Sequence, residues 1–108
     1  MAHAYSPPTL DALVILGAQI ATARRGRRWT AAELAERAGI SLTTLRRAEQ
    51  GAPSVAIGVV FELATLVGVP LFGQDASGLR AARSRAMDLL ALLPQRVRET
   101  SREIDDDF

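Results

Sequence analysis

Residues 30–51, TAAELAERAGISLTTLRRAEQG, decide the fold of this chain. They contain two complete sets of helix punctuation separated by a short turn. Thr30 is placed to cap a first helix, with Glu33 three residues later closing a capping box. Leu34, Ala35 and Ala38 form the apolar stripe of that helix. Gly39 can turn the chain at positive φ without a Cβ penalty. Ser41 caps a second helix whose inward positions are Leu45 and Ala48, and Gly51 ends it. Trp29 with Leu34, and Ile40 with Leu45, stand at the staple positions around the two caps. Two short helices joined by a glycine turn form the arrangement that can set one helix into a DNA major groove.

The outward face of the second helix is consistent with that use. With Leu45 and Ala48 turned inward, Leu42, Thr43, Arg46 and Arg47 face out. Arginine can bond guanine in bidentate fashion, and Thr or Leu can touch a thymine methyl. The same residues would also suit an ordinary solvated helix face.

Working outward, residues 1–8 (MAHAYSPP) read as a flexible lead-in, and residues 9–93 as a single helical domain. A first helix is predicted from about Thr9 to Arg25, with Leu13, Leu16, Ile20 and Ala23 at helical spacing. Arg24, Gly26, Arg27 and Arg28 make a basic junction before the decisive segment. After it, Ser54 is placed to cap a helix from about Val55 to Val67, stopped by Gly68 and Pro70. Leu71 and Phe72 are expected to fold back over the core. A fifth helix is predicted from about Ser77 to Leu93, ended by Pro94. Its apolar positions Leu79, Ala82, Ala86, Leu89 and Leu93 make a narrow seam, expected to pack on the domain and on a second copy. Residues 94–108 read as a charged, disordered tail.

Composition narrows the function classes. The chain has 108 residues and is 48% hydrophobic, enough for one domain with a core. It has no cysteine, which removes disulfides and thiolate metal sites. No stretch approaches the roughly 18 apolar residues that suit a membrane span, and no signal peptide is evident, so a cytoplasmic protein is expected. Net charge is only +1, yet residues 1–52 hold seven arginines against four acids. The basic excess thus lies with the two-helix segment. All thirteen cations are arginines.

Enzyme chemistry finds little support in the sequence. His3 is the sole histidine and stands at the N-terminus, and no glycine-rich phosphate loop is present. Glu33 is accounted for as a cap. No cofactor is expected. Asp105, Asp106 and Asp107 would need a fixed frame to hold a metal, and a tail provides none. With Phe108 they read either as a docking motif for a partner or as an inert terminus.

Residues 16–72 resemble the Xre/Cro-type helix-turn-helix domain. The likeness lies in LGAQIATAR, ELAERAGIS, TTLRRAEQG and ELATLVGVPLF. It implies an all-α, five-helix lambda-repressor-like fold and a homodimer that binds double-stranded DNA at a palindromic operator. It also implies an ion pair between Arg24 and Glu49, base contacts from Leu42, Thr43 and Arg47, and phosphate contacts from Thr30, Arg46 and Gln50. Two positions depart from the family pattern. Ala31 stands where glutamine is usual, and Leu42 where a polar residue is common. Arg27 and Arg28 are placed to compensate through phosphate contacts. The tail ending in DDDF looks like that of HipB-like antitoxins, which repress their own operon and bind a HipA-like serine/threonine kinase toxin. That likeness implies a partner site at Asp105, Asp106, Asp107 and Phe108. A stand-alone Xre-type regulator without a toxin is the alternative.

Overall fold

The computed structural model describes residues 4–97. It contains five helices: α1 (Pro7–Gly26), α2 (Ala31–Ala38), α3 (Leu42–Glu49), α4 (Ile57–Val67) and α5 (Ala76–Ala91). The chain divides into two compact units, Met1–Gly73 and Gln74–Phe108.

In the first unit, α1 starts earlier than the apolar spacing predicts. Pro7 and Pro8 lie inside its first turn rather than before it. An N–H missing there costs nothing, because the first helical N–H groups have no intrahelical acceptor. The two central helices are closed by their own side chains. Thr30 Oγ1 accepts from Glu33 N (3.1 Å) and Glu33 Oε1 accepts from Thr30 N (3.3 Å). Ser41 Oγ accepts from Thr44 N at 3.0 Å. Gly39 sits at φ 70° and hands the chain from α2 to α3, with Ile40 N donating to Ala35 O at 3.0 Å.

The start of α4 differs from expectation. It opens at Ile57, with Ala56 at the cap position and no side-chain cap bond. Ser54 lies in the preceding turn, where its hydroxyl accepts from Arg47 instead. At the other end Val69 N donates to Ala64 O at 2.8 Å, and Gly68 takes the left-handed conformation that ends the helix.

Every helix of this unit contributes to the core. Ile20 of α1, Leu34 of α2, Leu45 of α3 and Leu63 of α4 are fully buried, with Ala35, Ala48, Val60, Ala64 and Val67 around them. Two glycines allow the backbones of α1 and the end of α3 to touch. A Cβ on Gly17 would stand 2.6 Å from the carbonyl oxygens of Ala48 and Glu49. One on Gly51 would stand 2.7 Å from the Val14 Cα, and Gly51 also needs φ 78°. Phe72 does not fold over the core as expected. It is 80% exposed, with positive φ, and meets the Phe61 ring edge-on at 6.0 Å.

In the second unit, α5 is capped by Asp75, whose Oδ1 accepts from Gly78 N at 2.7 Å and Ser77 Oγ at 3.0 Å. These bonds hold the Asp75 carboxyl below the ordinary carboxylate range. The helix stops at Ala91, two residues short of the expected end. Pro94 disfavours helical backbone in the residue before it and cannot bond back to Leu90. No residue of α5 is buried; of its expected seam, Leu79 and Ala82 are half-buried while Leu89 is 63% and Leu93 56% exposed.

Candidate nucleic-acid interface

The eight residues of α3 divide cleanly by face. Leu45 and Ala48 are buried, while Thr43, Arg46 and Arg47 are exposed and Gln50 follows, exposed, at the C-cap. Leu42 is half-buried and packs against the core cluster. It therefore offers a smaller apolar edge to a ligand than its position in the sequence implies. The outward row is one hydroxyl, two guanidiniums and one carboxamide, all able to bond base edges or phosphates.

What fixes α3 is a bridge at its C-terminal end. Arg24 of α1 donates from Nε to Glu49 Oε2 (2.7 Å) and from Nη2 to Glu49 Oε1 (3.0 Å). Its Nη1 donates to the Trp29 carbonyl at 2.9 Å. One planar guanidinium thus ties together α1, the approach to α2 and the end of α3. Arg24 is 8% exposed. The hydrogen bonds that Arg24 donates to Glu49 raise the arginine's pKa, outweighing the opposite effect of burial. A buried pair of this kind specifies geometry more than it stabilises, because desolvation offsets much of the attraction.

The remaining basic residues fall into different roles. Arg28 is exposed at φ 61°, in the turn before α2. Arg27 is exposed as well, but its Nε donates to the Val67 carbonyl at 3.0 Å, at the C-terminal end of α4. Its guanidinium carbon lies 5.3 Å from the Trp29 ring centroid, and that of Arg37 lies 4.1 Å from the same ring. The indole thus has two cations within cation–π distance. Thr30 is exposed, and its oxygen serves the α2 cap. Asp105, Asp106, Asp107 and Phe108 lie outside the described residues.

Sequence reasoning missed two parts of this surface. An open hollow of about 390 Å³ lies among Ala21, Arg24, Arg25, Ala31, Arg46, Glu49 and Gln50. It brings Arg25 beside Arg46, and Ala31 is the small residue on its wall. The run of arginines at 24–28 was the signal for Arg25, but periodicity alone could not say which of them turns toward α3. The second missed residue is Ser54, which bonds Arg47 across seven positions of sequence. Nothing local in the sequence announces that contact.

A capped helix, a glycine turn and a second helix with a buried inner face and a basic outer face define a helix-turn-helix DNA-binding module. The family model described as a helix-turn-helix domain matches residues 15–75, and the chain belongs to that family. No curated protein and no solved structure matched the chain. Among the described residues, no helix is long and apolar enough to cross a membrane.

Proposed function

We propose that the protein is an Xre-type, sequence-specific transcriptional repressor that binds a palindromic operator as a homodimer. The observation that carries this reading is the α3 face: Thr43, Arg46, Arg47 and Gln50 stand exposed on a helix whose other side is locked into the core. Thr43 and Arg47 read bases, with Leu42 adding the exposed part of its side chain. Thr30, Arg46, Gln50 and Arg28 contact phosphates. Arg27 contributes less, because it is engaged with the Val67 carbonyl. Two copies related by a two-fold axis would read half-sites about one helical turn, roughly 34 Å, apart.

The exposed Leu89, Leu90, Leu92 and Leu93 at and just beyond the end of α5 support a protein partner for the second unit, and a second copy of this chain is the first candidate. We further propose the antitoxin of a HipA-like serine/threonine kinase toxin, engaged through Asp105, Asp106, Asp107 and Phe108, with repression of the shared operon in the cytoplasm. The stand-alone regulator differs only in lacking that partner.

The test is binding to DNA from just upstream of the protein's own gene, over a salt series, with a random duplex as control. Tight binding to a palindrome is expected. Arg47→Ala is expected to cost roughly 1–3 kcal/mol and to relax base choice at one position. Equal, weak binding of the wild type to both duplexes would overturn the repressor reading. For the antitoxin role, deletion of residues 95–108 should leave operator binding intact and abolish capture of the purified kinase. If the full-length chain captures no kinase, the stand-alone regulator stands.

A further inference from the structure

We infer that Ser54 is a positioning residue that sets the base choice of the recognition helix by holding Arg47. The inference rests on the reading of Arg47 as a base-contacting side chain. Arg47 Nη2 donates to Ser54 Oγ, and both side chains are exposed. Arg46 makes no comparable side-chain bond among the described residues, so the two neighbouring arginines of α3 are prepared differently.

The turn that carries Ser54 is itself fixed at several points. Ala52 N donates to the carbonyl of Arg47 at 2.9 Å, closing the chain back onto the residue it serves. Gly51 is buried against the α1 backbone at Val14. Pro53 fixes its own φ, and Val55 packs on the core. Ser54 is therefore presented by a turn whose backbone is fixed on both sides. It stands two residues before the Ala56 cap position of α4.

A guanidinium has five N–H donors, and the serine takes one. The rest leave a free pair for the O6 and N7 of guanine. A free arginine carries a large rotamer entropy that a base contact must overcome. Holding the side chain beforehand removes part of that cost only for the duplex in which Arg47 bonds a base. A mismatched duplex, where Arg47 makes no such bond, gains nothing. The serine thus widens the gap between right and wrong bases without adding a charge.

The test begins with selection of duplexes from a randomised library by the wild-type full chain. The enriched duplex and its single-base variants are then titrated with wild type, Ser54→Ala, Ser54→Thr and Arg47→Ala. Ser54→Ala is expected to lower discrimination at the Arg47 position by roughly three- to tenfold. Its salt slope should match wild type, since no cation is lost. Ser54→Thr keeps the hydroxyl and should keep the discrimination. In the free protein, side-chain relaxation at the Arg47 Nε should report greater mobility in Ser54→Ala. If Arg47→Ala relaxes base choice and Ser54→Ala leaves it within about twofold of wild type, positioning by Ser54 is overturned while Arg47 remains a reader. If Arg47→Ala changes nothing, or no duplex is enriched, the reading of Arg47 fails and the role of Ser54 falls with it.

Discussion

Helices α3 and α5 treat their apolar residues in opposite ways. The eight-residue α3 turns Leu45 and Ala48 into the core and presents hydroxyls and guanidiniums outward. The sixteen-residue α5 has no buried residue and leaves Met87, Leu89 and Leu90 more than half exposed, as are Leu92 and Leu93 just beyond it. The shorter helix is the better determined, although isolated helices below about twelve residues are marginal in water. Its order comes from neighbours: two side-chain bonds at Ser41, the Arg24 bridge at Glu49 and the close approach of α1 at Gly17. Helix length says little about how firmly a segment is held. A face that reads a ligand needs its other face fixed, whereas an apolar face left open calls for a partner.

The sharpest way to break this contrast is at the bridge. Glu49→Ala leaves the Arg24 guanidinium in a largely buried site without its carboxylate, and is expected to destabilise the first unit by about 3–5 kcal/mol in urea unfolding. Replacing Arg24 with Met and Glu49 with Leu together should recover most of that loss while weakening specific DNA binding. Full retention of binding in the double variant would mean that the bridge does not set the pose of α3.

A matched pair of leucines tests the two faces directly. Leu45→Ala removes a fully buried side chain from α3 and should cost about 2–5 kcal/mol. Leu89→Ala on α5 should change unfolding of the chain by less than about 0.5 kcal/mol at micromolar or lower concentration. The same substitution should lower the sedimentation-measured mass if α5 is covered by a second copy. Equal thermal shifts for the two variants would erase the distinction between the helices.

The smallest effect expected is at the α5 cap. The backbone bond from Gly78 and the hydroxyl bond from Ser77 lower the pKa of Asp75 in the folded chain. The carboxylate therefore contributes helix stability above its unfolded pKa, and that contribution is lost as pH falls through the folded value. Acidification below about pH 4 should shift the Gly78 and Leu79 backbone resonances toward coil values. Asp75→Ala should show those shifts already at neutral pH and remain flat on acidification.

Much of the first unit was legible from short-range signals. Thr30 and Glu33, Gly39, and Ser41 each act within three or four residues of themselves, so a reader of the sequence can place α2, the turn and α3. The exposed row of α3 follows from helical periodicity once Leu45 and Ala48 are turned inward. At Ser54, Leu42 and Arg27 contacts from beyond the local segment add to what the local pattern shows. Ser54 is a good cap by type, but the cap position of α4 falls two residues beyond it and its hydroxyl accepts from Arg47. Leu42 looks free on the helical wheel, but the core reaches it. Arg27 reads as part of a basic cluster, yet the open carbonyl at Val67 claims it.

The sequence by itself determined five helices, the caps of α2 and α3, and a basic two-helix segment, because capping and periodicity are written within a turn or two of the chain. The Arg24–Glu49 pair was already implied by the family resemblance, and only the tertiary structure decided the other acceptors: the Trp29 carbonyl for Arg24, the Val67 carbonyl for Arg27 and Ser54 for Arg47. Their side chains are chemically identical, and Arg24 and Arg27 stand only three positions apart in sequence. What separates them is which acceptor the folded backbone brings within hydrogen-bond reach. That depends on close approaches such as Gly17 to the end of α3, which no local pattern encodes.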